Sequence, residues 1–420
     1  MQFPIPFSTD ENLIRIAEKY GTPLYVHDEA SYERCAREAL AAPNAFGLSV
    51  RYAMKANSHR AVLRIFDRMG VGIDTSSYFE VKRALAAGIK PASIQLTSQE
   101  VQPPERLKDL LDLGVQYNAT SLEQLRVFAS IEGASKIPVS IRVNPGLGSG
   151  HNNRTNTAGR GASFGIWHKY LPQAIDIARE RGITIARLHT HVGSGSDWRV
   201  WQKAARLTLD IVRRLPDVDT VNLGGGYKID RVRPEKSIDL KTAFKPVKDA
   251  FKEFARETGR KLRLEIEPGT YLAANSCILL GRVEDIVDTG AKGYEFLKIN
   301  ASMTELLRPM IYGAHHPIRL LGKGEETEKP YVVVGLTCES GDIFTPTEKD
   351  PEGIDTFMLP RAGRGDIVAV LSAGAYGLSM SAKNYNSRPI PAEVMIAADG
   401  SDRLITKRQK PEDIWSRELD

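Results

Sequence analysis

Through the first two thirds of the chain, short runs of apolar and β-branched residues alternate with longer stretches whose apolar positions recur at i, i+3 and i+4. The first is the pattern of a buried strand, the second that of an amphipathic helix. Eight runs read as strands: LSVRYAMKA (48–56), VGIDTSS (71–77), IQLTS (94–98), VQYNATS (115–121), VSIRVNP (139–145), ARLHTHVGS (186–194), TVNLGGG (220–226) and LRLEIEPG (262–269). The intervening segment SSYFEVKRALAAG has the helical period and ends on glycine. Ser76 or Ser77 is placed to cap it, with Glu80 reaching back from the first turn. Eight strands alternating with helices over roughly 220–250 residues predict an α/β fold, a (β/α)8 barrel. A doubly wound open sheet competes, but it seldom needs eight such units in succession.

After about residue 275 the pattern changes. CILLGRVEDIVDTG, GYEFLKIN, PYVVVGLTCESGDIF, DIVAVLSAGAY and EVMIAADG follow one another with Pro, Gly and charged turns and without helical periods between them. This predicts a second, all-β domain, a β-barrel or sandwich. The isolated N-terminal strand TPLYVHDE (22–29) is expected to pair with it, so that a TIM-like barrel covers 30–275 and the β domain covers 1–29 and 276–420. The Gly-, Asn-, Ser- and Thr-rich segment 146–165 reads by composition as either a surface excursion or a lid, and its position after the fifth strand favours a lid at the barrel mouth. The charged stretch GKGEETEKP (322–330) reads as a solvated hairpin or loop.

Composition narrows the class. With 42% hydrophobic and 26% charged residues, the chain is neither mainly disordered nor collagen-like. Its apolar runs fall short of the ~20 residues that cross a bilayer, and no basic region followed by an apolar core opens the chain. No membrane association and no signal peptide are therefore expected. A net charge of +5 spread over 420 residues does not favour nucleic acid. Cys35, Cys277 and Cys338 give neither a disulfide framework nor metal spacing, which suits a cytoplasmic enzyme with reduced thiols.

Polar residues capable of chemistry gather where the strands end: Lys55, Asp74, Asn144, His191, Ser194, Gly224–Gly226 and Glu267. In a barrel, those ends form the mouth where sites are built. Each residue also has an ordinary reading. Lys55 resembles a solvent-facing strand end, but a lysine there is also what a Schiff-base nucleophile requires. HVGSG (191–195) and NLGGGY (222–227) could be tight turns, but two glycine-rich exits on successive strands suit a phosphate better. Neither run reads GxGxxG and no Walker motif occurs, which argues against dinucleotides and ATP. His191 on its own reads as a satisfied core histidine, and Glu267 as a rim carboxylate in an ion pair. Cys338 in CESGD is either an inert thiol or a proton donor beside a carboxylate.

Taken together, YAMKAN, HVGS, GGG, EPG, LLRPMIYGAHH, CESGD and GAYGLSMSAKNYNSRP resemble the fold-type III pyridoxal-phosphate decarboxylases, in the family's order over roughly residues 20–410. The resemblance implies pyridoxal 5′-phosphate as cofactor and an amino acid as substrate. It points to the branch that converts meso-2,6-diaminopimelate to L-lysine and CO2. It implies that Lys55 carries the cofactor and His191 stacks on its ring. Asp74, Ser194, Gly225, Gly226, Gly269 and Tyr376 would help to hold it, and Glu267 would pair with the ring nitrogen. Arg308 and Tyr312, with Glu339 and Tyr376, would bind substrate, and Cys338 would return a proton to carbon. Cys338 and Glu339 would do so across the interface of a homodimer. The family's EPGR reads EPGT here, so Thr270 stands where a substrate-contacting arginine is expected. Arg154, Arg160 or Arg199 are candidates for the missing charge. The alternatives are a decarboxylase of another basic amino acid or polyamine precursor, and a non-catalytic cofactor-binding homologue.

Overall fold

The computed structural model describes residues 7–148, 157–232, 236–324 and 327–419. They divide into two compact units. Glu33–Ile229 with Lys236–Leu272 make one, and the described residues of Met1–Tyr32, Asp230–Glu235 and Ala273–Asp420 make the other.

In chain order the strands begin with β1, Leu24–Asp28, in the second unit. The first unit then contributes β2 (Leu48–Ala53), β3 (Gly72–Thr75), β4 (Ile94–Leu96), β5 (Gln116–Ala119), β6 (Val139–Asn144), β7 (Ile166–Trp167), β8 (Ile185–His189), β9 (Thr220–Asn222) and β10 (Arg263–Ile266). Parallel pairing runs β5-β4-β3-β2-β10-β9-β8-β6, and a further β5–β6 pairing closes the ring into an eight-stranded barrel. The short β7 only pairs in parallel beside the end of β6, Val143 with Ile166 and Asn144 with Trp167. Closure settles the choice against an open sheet. The helices that follow the strands bury one face each. In Arg60–Arg68 that face is Val62, Leu63, Ile65 and Phe66.

The capping expected after β3 is present in full. Ser77 Oγ accepts from Glu80 N at 3.1 Å, and Glu80 Oε2 accepts from Ser76 N at 2.6 Å, so two otherwise orphaned amides at the start of helix Tyr78–Ala86 are satisfied.

The second unit is mostly sheet. Its strands are β11 (Cys277–Asp288), β12 (Glu295–Ile299), β13 (Ile318–Leu320), β14 (Glu328–Val334), β15 (Pro346–Thr347), β16 (Asp350–Ile354), β17 (Phe357–Pro360), β18 (Ile367–Val370), β19 (Ala392–Ile396) and β20 (Asp402–Thr406). The N-terminal strand joins them as expected: β1 lies antiparallel to β11 and parallel to β19. One apolar cluster gathers Leu279, Leu297, Tyr331, Val333 and Val370, and another gathers Leu13, Ile16, Leu24, Val26 and Val394. Part of the expected lid (149–156, with Arg154) and part of the expected 322–330 loop (325–326) lie outside the described residues.

Candidate active site

Side chains two residues apart on a strand share a face. Along β10 and its extension, Glu265 and Glu267 share one, and the same spacing relates Arg187, His189 and His191, and Gln95 and Thr97. Hydrogen bonds among these residues cross the barrel interior, which is therefore polar where the strand bodies read as apolar runs.

Glu267 is the centre of this interior. It is buried, and its Oε1 accepts from Asn222 Nδ2 at 2.5 Å and from Gln95 Nε2 at 2.9 Å. Its Oε2 lies 3.3 Å from His189 Nε2, yet that nitrogen makes no hydrogen bond among the described residues, so the approach is close but misdirected. Burial, then repulsion from Asp74 and Glu265, pushes the Glu267 carboxyl up to about 8, with the Asn222 hydrogen bond and Arg142 acting the other way. Asp74 at the end of β3 is also raised by burial, although it accepts from Thr97 Oγ1 at 2.7 Å and feels Lys55.

Lys55 sits on a 3-10 turn, Met54–Ala56, that follows β2, and it is exposed while its two neighbours are buried. The turn rests on the EPG segment. Ala53 N donates to Pro268 O at 3.2 Å, and a Cβ on Gly269 would stand 3.3 Å from Ala56 Cβ. Lys55 and the EPG carboxylate are thus carried by adjoining strand ends.

The two glycine-rich exits interlock. Gly195 N donates to Gly226 O at 3.0 Å and Lys228 N to Gly195 O at 3.2 Å. A Cβ on Gly225 would fall 2.1 Å from Glu267 O, and one on Gly226 1.8 Å from Gly193 O, so backbone meets backbone at both positions and only glycine fits. The Gly224 amide is given to Asn222 Oδ1 and the Gly225 amide to His191 Nδ1. Neither the Gly226 nor the Tyr227 amide has a hydrogen-bond partner among the described residues. Because His191 Nδ1 accepts, its ring is the neutral tautomer with the proton on Nε2. Burial, then Arg142 and Lys55, hold it neutral well below the usual histidine range.

These residues fit pyridoxal phosphate. A buried carboxylate with one unsaturated oxygen calls for a cationic N–H donor. Two unpartnered amides on glycine-rich turns suit a phosphate, and an exposed lysine stands at the same mouth.

The remaining candidates belong to the β unit. Arg308 opens the short helix Arg308–Tyr312 and lies 5.9 Å over the Tyr312 ring. Buried His316 is held neutral by burial and then by Arg231 and Arg308, two cations of this unit. Cys338 and Glu339 are exposed, and Cys338 N donates to Asn386 Oδ1 at 2.7 Å. Tyr376 is half-buried with φ 55°, a strained value for a residue with a Cβ. Of the charges considered in place of the missing arginine, Arg160 is exposed and Arg199 is tied to Asp197 at 3.1 Å. Gln95, Asn222, His189, Arg142 and Arg231 were not evident from the sequence. For the four on barrel strands the available signal was a polar residue within a mainly apolar run; Arg231, which lies in no strand, gave none.

Residues 32–274 match the model of the pyridoxal-dependent decarboxylase family, pyridoxal binding domain. The chain belongs to the pyridoxal-dependent decarboxylases. Within them it is similar to diaminopimelate decarboxylase of Escherichia coli strain K12, 34% identical with 98% of this chain and 99% of that protein covered. A crystal structure of a diaminopimelate decarboxylase superposes with a TM-score of 0.90 at 32% identity, covering 99% of each chain. The Helicobacter pylori diaminopimelate decarboxylase complexed with L-lysine does so with a TM-score of 0.83 at 27% identity, covering 96% of this chain and 98% of that one.

Proposed function

We infer that this chain is a pyridoxal-phosphate-dependent carboxy-lyase that converts meso-2,6-diaminopimelate to L-lysine and CO2. The observation that carries the reading is the pairing at adjoining strand ends of an exposed lysine, Lys55, with a buried carboxylate, Glu267, that has one oxygen open. Bound pyridoxal phosphate supplies an electron sink for the pair left behind when CO2 departs.

The chain's own residues do the rest. Lys55 fixes the cofactor through its amine. Glu267 Oε2 would accept a hydrogen bond from the protonated ring nitrogen and so keep that nitrogen cationic. Neutral His191 packs against the ring face, and Asp74 braces the mouth beside Lys55. The amides of Gly226 and Tyr227, at the turn shared with Ser194 and Gly225, hold the phosphate, and Tyr376 adds a hydroxyl. Gly269 lets the EPG segment lie close against the lysine turn. Arg308, supported by Tyr312 and by Arg231, binds the far carboxylate and supplies the charge that Thr270 lacks. Cys338, with Glu339 beside it, delivers a proton to the reacting carbon of the partner's site in a homodimer. Reduced, exposed Cys338 suits a cytoplasmic enzyme.

The test is CO2 release and L-lysine formation from meso-2,6-diaminopimelate by the purified protein with pyridoxal phosphate, and loss of both with the visible cofactor band in Lys55→Ala. Thr270 favours one second reading, a substrate without the far carboxylate. Turnover of ornithine or L-lysine in preference to meso-2,6-diaminopimelate would establish that reading instead.

A further inference from the structure

Below Glu267 the barrel is polar to its floor. Glu265, two residues earlier on β10 and fully buried, accepts from Arg51 Nε at 2.8 Å, and Arg187 Nη2 lies 3.9 Å from the same oxygen. Two buried amides connect this charged floor to Glu267. Asn222 Nδ2 donates to Glu265 Oε1 at 2.9 Å and to Glu267 Oε1 at 2.5 Å. Gln95 Oε1 accepts from Arg187 Nη1 at 3.0 Å, and Gln95 Nε2 donates to Glu267 Oε1 at 2.9 Å, with Asp74 Oδ1 at 3.4 Å and Thr97 Oγ1 at 3.3 Å also in reach.

The sense of the Gln95 amide is fixed by chemistry. A guanidinium can only donate, so the carbonyl must face Arg187 and the NH2 must face the carboxylates. Both amides then land on the same oxygen of Glu267. Oε1 is saturated and Oε2 receives no hydrogen bond among the described residues. A carboxylate held by one oxygen cannot turn about its terminal bond without breaking both hydrogen bonds, so its free oxygen has a fixed direction.

We propose that Gln95, oriented by Arg187, is a positioning residue that, together with Asn222, pins Oε1 of Glu267 and presents Oε2 to the ring nitrogen of the cofactor. The proposal rests on the reading of Glu267 as the ring nitrogen's partner. Gln95 does not touch substrate; it acts through Glu267.

The experiment uses full-length apoprotein titrated with pyridoxal phosphate, followed by cofactor absorbance against pH and by steady-state kinetics. Gln95→Met keeps the chain length and removes both amide functions. Its cofactor dissociation constant should rise about tenfold, the loss of one hydrogen bond to a charged group. Its alkaline spectral transition should move about one pH unit lower, and kcat should fall with KM changed less than about twofold. Gln95→Glu keeps the partner for Arg187 but sets an acceptor against Glu267. It should bind more weakly still at pH 8 and recover as acid restores a donor, a rescue that a packing defect would not show.

If Gln95→Met and Gln95→Glu both bind with wild-type affinity and an unmoved transition, the proposal is wrong. If neither variant folds, as read by far-UV circular dichroism, Arg187→Met decides. A smaller shift in the same direction supports the proposal and an unmoved transition overturns it. Glu267→Gln separates the two levels. Unchanged cofactor affinity there defeats the underlying reading, whereas an altered Glu267→Gln beside an unaltered Gln95→Met defeats this inference alone.

Discussion

Arg308 and Thr270 carry the substrate question between them. A neutral hydroxyl cannot make the bidentate bonds that a guanidinium makes to a carboxylate. On the proposed reading, recognition of a second carboxylate falls on Arg308 instead. Arg308→Ala should raise KM for meso-2,6-diaminopimelate by about ten- to a hundredfold, from the loss of about 1.5–3 kcal/mol, and should leave cofactor affinity unchanged. Steady-state kinetics beside a cofactor titration checks both, and an unchanged KM would remove Arg308 from the substrate's far end. Residues of this kind were legible because they stand in short motifs at strand ends. Lys55, His191 and Glu267 each stand where a barrel strand reaches its mouth, in the short motifs YAMKAN, HVGS and EPG. Gln95, Asn222 and His189 were not legible. Each is a polar residue within a barrel strand or at its last position, and its meaning comes from a partner far away in sequence, as for Gln95 and Glu267, 172 positions apart.

At the scale of elements, the junction after β3 shows how local chemistry fixes the site's frame. Two residues separate the end of the strand that carries Asp74 from helix Tyr78–Ala86, and the start of that helix is set by the hydrogen bonds of Glu80 N to Ser77 Oγ and of Ser76 N to Glu80 Oε2. Ser77→Ala removes one of the pair and leaves Glu80 bonded to the Ser76 amide. It should cost about 1 kcal/mol in denaturant unfolding with little change in kcat. A loss of activity as large as that of a site variant would mean that the cap positions Asp74 and not only the helix. Such caps are legible because the signal is contained within four residues. The base of the 146–165 segment was not. Asn144 Oδ1 accepts from both Gly146 N (3.1 Å) and Gly159 N (2.9 Å), and its Nδ2 donates to Gly159 O at 3.0 Å, so the side chain that ends β6 ties the two described ends of the segment together. Composition reports that a stretch is loop-like; it does not report which side chain closes it.

For the whole molecule, the buried ionisable groups set a stability profile with a definite sign. His189, His191 and His316 are held neutral well below the usual range, chiefly by burial. The unfolded chain takes up protons below about pH 6.5 that the fold refuses, so stability rises as pH climbs to that point. The carboxyls do the opposite. Burial raises Glu305 to about 7 and Glu267 to about 8, against 4.5 when unfolded, so stability falls from pH 4.5 up to those values. Between pH 6.5 and 8 the histidine contribution is flat and the Glu267 cost still grows, by at most about 2 kcal/mol. Urea midpoints of the apoprotein should therefore fall over that interval, and those of apo Glu267→Gln should fall less, the difference isolating Glu267 from Glu305. Parallel profiles would mean that Glu267 is already ionised in the apoprotein.

The closed barrel and the β sheet that recruits β1 were both legible, because strand count and the change of period after residue 275 constrain topology strongly. A dimer is not written in either pattern, and it bears directly on Cys338, which one chain leaves exposed. If Cys338 serves the partner's site, Cys338→Ala and Lys55→Ala break different components of the same site. Each variant alone should be nearly inactive, with kcat down about 10²-fold or more for the cysteine. Unfolded together and refolded, half the dimers would be hybrids, and each hybrid has one site with both defects and one with neither. Activity should then return to about a quarter of wild type, by random pairing in a two-fold assembly. No recovery from a mixture shown to contain hybrids would place Cys338 and Lys55 in the same chain's site, and a fully active Cys338→Ala would leave Cys338 outside the chemistry.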